Sequence, residues 1–198
     1  MNPVFSIGHS DHTAETFVAL LARHGVSAVA DVRAAPYSRH HPQFSKAALI
    51  ATLRAAGLAY VYLGEQLGGL PSARVRSQMR GSGYAAMAAT EAFREGLVRV
   101  GQGRERHRIA LMCAERDPID CHRALLVGRA LAGVGVEVEH ILADGATEGH
   151  TALERRLLDA AGRSEGGDLF ATPTELLDLA YLRQERRAGL VDEEEGAA

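Results

Sequence analysis

The chain of 198 residues contains no tryptophan, one lysine (Lys46) and two cysteines, Cys113 and Cys121. Each scarcity excludes something. Two thiols in a chain this long do not build a disulfide scaffold, so a reducing cytoplasm is the expected compartment. No apolar run approaches the ~20 residues that span a bilayer, so no membrane partner is expected. The N-terminal "MNPVFSIGHS" has no basic region ahead of an apolar stretch, so no signal peptide is expected either. A net charge of −3 leaves no excess positive charge with which to coat nucleic acid by bulk attraction. With one lysine, 21 of the 22 basic residues are arginine, beside abundant alanine and glycine. Base composition accounts for that count, so only the placement of the arginines is informative.

What is present is a globular composition, 46% hydrophobic and 24% charged, at a length suited to one domain over residues 1–190 with an acidic tail at 191–198. Two hydrophobic periods alternate along it. Short β-rich runs, apolar on both faces, occur at residues 3–8, 27–32, 59–64, 108–113 and 137–142. Helical spacing fills the gaps. Phe17, Leu20, Leu21 and His24 share one face, with Thr13 as N-cap and Gly25 as stop. Ser45 is placed to cap a helix carrying Leu49, Ile50 and Leu53 that ends at Gly57. Phe93, Leu97 and Val100 mark a third helix ending near Gly101, and Leu125, Leu126, Ala130 and Leu131 a fourth ending around Gly133–Gly135. Two more helices follow the last strand, one opened by a Thr151/Glu154 capping box and one by Thr172-Pro173-Thr174-Glu175, with "GRSEGGDLF" as the loop between them. This order predicts an α/β fold: three layers, an open, mostly parallel five-stranded sheet with helices on both faces, and two C-terminal helices.

In such sheets ligands bind outside the carboxyl ends of the strands. The residues following each strand are then the candidates: His9 and Ser10; Asp31 and Arg33 with "AAPYSRHHPQFS"; the long "GEQLGGLPSARVRSQMRGSGY"; Cys113, Glu115, Arg116 and Asp117; His140 and Asp144. Histidine, cysteine, glutamate and arginine are not favoured helix caps, so local structure does not explain their gathering at one edge. Asp31 and Arg33 alternate on a strand and can pair or share a ligand. "LPSARVRSQMRGSGY" has the length of a lid, with Arg74, Arg76 and Arg80 able to clamp phosphate.

The densest stretch is "LMCAERDPIDCHR". Asp120 is placed to cap the fourth helix, which makes Cys121, His122 and Arg123 its first turn, where the helix dipole and arginine favour thiolate. Three readings stay open. One cysteine is a nucleophile, with His122, His9 or Glu115 as acid–base partner. Both sulfurs hold a metal with His9 or His122, although the spacing matches no standard zinc knuckle. Or both are small buried hydrophobes. No G-x-G-x-x-G, Walker or G-x-S-x-G pattern occurs, so no cofactor is named.

Taken together, "SIGHS", "DVRAAPYSRHHPQFS", "YVYLGEQLGG", "LMCAERDPIDCHR" with a following "HI", and "DG…H" resemble the bacterial family catalogued as domain of unknown function 488, over about residues 4–155. The resemblance implies an α/β domain in which His9, Asp31, Arg33, Ser38, Cys113, Glu115, Cys121, His122 and Arg123 carry the family pattern. It implies no reaction. The sequence therefore points to an enzyme with a pocket at the carboxyl edge of the sheet. Cys113 or Cys121 is the reactive thiol; His9, His122 and Glu115 move protons; Asp31 orients Arg33 or a histidine. Arg33, Ser38, Arg39, Arg116 and Arg123 hold an anionic, phosphate-bearing small molecule or nucleic acid. The alternatives are a non-catalytic nucleotide- or nucleic-acid-binding module and a Cys/His metal-binding protein.

Overall fold

The computed structural model describes residues 2–162 and 171–187. Its elements run β1 (Val4–Gly8), α1 (Ala14–Arg23), β2 (Ala28–Asp31), α2 (Lys46–Ala55), β3 (Ala59–Tyr62), α3 (Gly64–Leu67), α4 (Ala73–Gln78), α5 (Gly83–Ala88), α6 (Glu91–Arg104) and β4 (Ile109–Cys113). A π-helical stretch, Arg123–Gly128, then runs directly into α7 (Arg129–Gly133). β5 (Val138–Ile141), β6 (Thr147–Gly149), α8 (His150–Ala160) and α9 (Pro173–Arg187) complete the chain. The sheet order is β3-β2-β4-β1-β5-β6, with β1 to β5 parallel and β6 antiparallel to β5.

The fold is the expected three-layer α/β arrangement, and strand alternation assigns the two cores. Phe5 and Ile7 of β1 with Ala110 and Met112 of β4 pack against Phe17, Leu21, Leu49 and Leu53 of α1 and α2. Val4, Ile109, Leu111 and Cys113 face the other way, onto a larger core that includes Phe93, Leu125, Leu157 and Tyr181. Cys113 thus lies on the face covered by the later helices. Several local signals act as read: Thr13 Oγ1 accepts from Thr16 N (3.2 Å), Gly25 takes φ +63° after α1, and Thr172 and Glu175 exchange a reciprocal capping box.

The structure corrects other expectations. Among the described residues the sheet has six strands rather than five, because Thr147–Gly149 pairs with the edge of β5. The supposed lid contains α4 and α5; Arg74 pairs with Glu95 (2.7 Å) on α6 instead of reaching toward a ligand. α6 continues past Gly101 to Arg104. α8 starts at His150 with Gly149 before it, so Thr151 is inside the helix and its box with Glu154 does not form. Asp120 closes a 3-10 turn, Pro118–Asp120, and accepts from Gln184 Nε2 (2.7 Å); it does not cap the following helix. The "GRSEGGDLF" loop beyond Gly162 and the acidic tail lie outside the described residues.

Candidate functional site

The topology singles out one point on the carboxyl edge. β1 and β4 are neighbours, with Gly8 opposite Cys113. From β1 the chain leaves toward β2, and from β4 it leaves the opposite way toward β5. Each connection passes the neighbouring strand on a different face of the sheet, α1 on one and the π-helical stretch with α7 on the other, and loops that part to opposite faces open a crevice between two strand ends. His9 and Cys113 flank it, joined by the His9 N–H donating to the Cys113 carbonyl (2.8 Å). The approach is tight: a Cβ on Gly8 would meet the Glu115 carbonyl oxygen at 1.8 Å, so a side chain there would push the two loops apart.

A cleft of about 500 Å³ opens at this point, lined among others by His9, Arg33, Tyr37, Ser38, Gly69, Leu70, Tyr84, Cys113, Glu115 and His122. Cys121 does not line the cleft but is buried behind it: Cys113 Sγ lies 3.5 Å and Cys121 Sγ 3.9 Å from His122 Nδ1. Cys121 Sγ lies 2.8 Å from Glu115 Oε2. The four ligating atoms of Cys113, Glu115, Cys121 and His122 fall within 4.8 Å of one another.

Cys121, not Asp120, occupies the N-cap position. Its backbone is extended (φ −134°, ψ 136°), its carbonyl accepts from Ala124 N and Leu125 N (both 3.0 Å), and its sulfur accepts from Arg123 N (3.4 Å). His122 Nε2–H donates to the Val32 carbonyl (2.9 Å), which leaves Nδ1 facing the sulfurs. Gly69 backs this ring: a Cβ there would lie 2.7 Å from Nδ1.

The charges in the cluster are interdependent. Burial pushes the Cys113 thiol well up, and the neighbouring Cys121 adds to that. Burial opposes charge on Cys121 too, but the hydrogen bond to Cys113, the Arg123 guanidinium and His122 outweigh it and hold this thiol well below its usual range. Burial would lower His122; the bond to Cys121 and the thiolate charge raise it instead. Glu115 is raised by burial and by Cys121, whose sulfur lies 2.8 Å from its carboxylate. A thiolate beside an imidazolium can act as a nucleophile, and the same four groups deprotonated form a metal-ligand set.

Other candidates divide by direction. Asp31, fully buried, grips Arg33 through Nε–Oδ1 (2.9 Å) and Nη2–Oδ2 (2.7 Å) and accepts from the Tyr60 hydroxyl (2.9 Å). Arg33 Nη1 is buried with no hydrogen-bond partner among the described residues. His9 stacks on Phe44 (4.4 Å between centroids) and donates Nδ1–H to the Ser10 carbonyl; burial lowers it to about 4, so it is neutral at pH 7. Ser38 lines the cleft, but its Oγ accepts from His41 N (3.1 Å).

Arg39, Arg116 and Arg123 are not among the lining residues. Arg39 is exposed, and Arg116 faces Asp11 across 3.8 Å on the outer surface. Arg123 is wholly buried and straps the loop by donating to the carbonyls of Glu115 (2.7 Å) and Arg116 (3.1 Å). The sequence reading did not name Gly69, Leu70, Tyr84 or Tyr60 as site residues. Gly69 closes the "GEQLGG" block, whose paired glycines were the available signal, and Leu70 directly follows it. At the opposite end of the strands a depression of about 600 Å³ is lined by Arg99, Glu105, Arg106 and His107, all exposed, without a thiol.

Fold and cleft define an α/β protein with a Cys/His cluster at the switch point of a parallel sheet. The family model described as Domain of unknown function DUF488 matches residues 13–130, and the chain belongs to that family. The matched range holds Asp31, Arg33 and the whole Cys113–His122 cluster but not His9 or His140. Among curated proteins and among solved structures, nothing matches. No helix among the described residues is long and apolar enough to cross a membrane.

Proposed function

We propose that this protein is an enzyme acting on a small organic anion, phosphate-bearing in the favoured case, in the cleft between β1 and β4. The observation that carries the reading is Arg33. Two of its nitrogens are committed to Asp31, and Nη1 remains, buried and unpartnered, on a residue of the cleft wall. A guanidinium braced by a carboxylate and left with a free donor is suited to an incoming anion. The volume fits a small molecule rather than a length of nucleic acid. Tyr37 (71% exposed) and Leu70 (63% exposed) line the same cleft and offer apolar surface for the rest of the substrate.

In this reading Arg33 anchors the anion, the Cys113/Cys121/His122/Glu115 cluster supplies the reacting groups, and neutral His9 accepts a proton through Nε2. The test is a thermal-shift titration with inorganic phosphate and pyrophosphate, followed by turnover assays on a panel of phosphate esters. Arg33→Lys keeps a positive charge near Asp31 but removes the planar fork; it should abolish anion stabilisation and raise KM more than it lowers kcat. No stabilisation by any anion, with no turnover across the panel, would overturn the reading.

A further inference from the structure

We infer that Cys113, Cys121 and His122 bind a zinc-class divalent cation, with Glu115 beside the remaining coordination position. The donors are two sulfurs and one imidazole nitrogen, the set that selects zinc over hard cations. Their spacing fits. Ligands at about 2.3 Å (sulfur) and about 2.0 Å (nitrogen) around a tetrahedral ion lie on the order of 3.5 Å apart. The Cys113 Sγ–His122 Nδ1 and Cys121 Sγ–His122 Nδ1 separations are 3.5 and 3.9 Å.

A second, independent feature is the way the imidazole is held. His122 Nε2–H is fixed on the Val32 carbonyl at 2.9 Å, so Nδ1 presents its lone pair to the sulfurs. A backbone carbonyl orienting the far nitrogen is the usual support of a metal-ligating histidine. The three donors come from rigid places: the end of β4, the helix N-cap and the first helical residue. Glu115 differs. It stands on an exposed loop, and its 2.8 Å contact with Cys121 is shorter than a tetrahedral edge, so its carboxylate would swing outward when an ion enters.

Three fixed ligands and one position open to a cleft is the pattern of a catalytic rather than a purely structural zinc site. The donor geometry stands alone, whereas the catalytic use of the ion rests on the anion-cleft reading above. There the ion would lie under the position of an anion held by Arg33, polarise it, and leave Glu115 to hold or move a proton.

The test uses the full chain purified without a polyhistidine tag under non-chelating reductant. Elemental analysis should find stoichiometric zinc. After chelator treatment, the protein should take up Zn2+, and Co2+ should give a thiolate-to-cobalt charge-transfer band with tetrahedral visible bands. Cys113→Ser and Cys121→Ser should each weaken Zn2+ binding by at least about 100-fold and erase that band, while Glu115→Gln should change affinity by less than about 10-fold. The wild-type cobalt spectrum decides the matter even where a cysteine variant folds poorly. No uptake, or uptake without a thiolate band, overturns the inference, as does unchanged affinity in both cysteine variants. Phosphate titration of the same samples separates the two readings. Zinc bound with no anion effect sinks the cleft reading and keeps the ion; anion binding without zinc does the reverse.

Discussion

Two groups of buried imidazoles lie on the same side of this molecule, and they behave differently. His140 and His150 form a closed chain. Ser6 Oγ lies 2.7 Å from His140 Nδ1, His140 Nε2 lies 3.0 Å from His150 Nδ1, and His150 Nε2 meets the Tyr181 hydroxyl at 3.1 Å. Tyr181 in turn donates to Glu154. Every ring nitrogen has a partner, and burial lowers these histidines to about 3 and about 4. His122 is equally enclosed, but only one of its nitrogens is satisfied by backbone; the other faces two sulfurs, of which Cys113 lines the cleft together with His122, and its pKa is raised. Burial of an imidazole therefore says little about function. The identity of the second nitrogen's partner, and whether the ring borders open space, distinguish a packed histidine from a reactive one.

The largest expected effect that sharpens this contrast is on pH. His140 and His150 have folded pKa values below the unfolded value of about 6.5, so the unfolded chain binds more protons between pH 6.5 and about 4. Stability should be fully present above pH 6.5 and fall as the pH drops, with His9 adding in the same sense. Each histidine contributes up to about 1.4 kcal/mol per pH unit. Urea unfolding from pH 7 to 4 measures it; a flat profile would mean the chain does not hold its rings neutral.

Next comes a pair of substitutions. His140→Ala should cost about 2–4 kcal/mol through a cavity and orphaned partners, yet leave zinc affinity within about threefold. His122→Ala should weaken zinc binding at least about 100-fold. Urea unfolding and zinc competition, applied to both, check for opposite outcomes. Gly69→Ala should lower zinc affinity about 10-fold by driving a methyl toward His122 Nδ1. The smallest effect is Tyr181→Phe, about 1–2 kcal/mol from the lost hydroxyl, with zinc binding unchanged.

The alternation of strand and helix was readable because periodicity reports which faces are buried, and both cores depend on it. Caps such as Thr13 and Thr172 were readable because they act within one turn. β6 was not: "TEG" has no strand character of its own and is extended because the edge of β5 offers hydrogen bonds. α4 and α5 escaped notice because six-residue helices are held by packing against α6 and the π-helical stretch, not by local propensity. Within the site, chain order could bring Cys113, Cys121 and His122 to the same edge, but it could not choose among the arginines. Arg33 faces the cleft, Arg123 turns inward to backbone carbonyls, and Arg116 turns outward to Asp11. A long side chain in a loop follows whichever partner the folded surroundings supply.

Residue pattern alone determined the layered α/β class, the edge where the reactive groups collect and the family, because hydrophobic spacing and local capping act over a few neighbours. Only the folded chain decided that Cys121 is the cap, that His122 turns Nδ1 toward both sulfurs, and that Arg33, on the cleft wall, keeps a buried donor without a partner among the described residues. The turn of His122 depends on the Val32 carbonyl 90 residues away, and whether a locally bonded group also borders a cleft depends on which loops the sheet sets beside it, which no local rule contains.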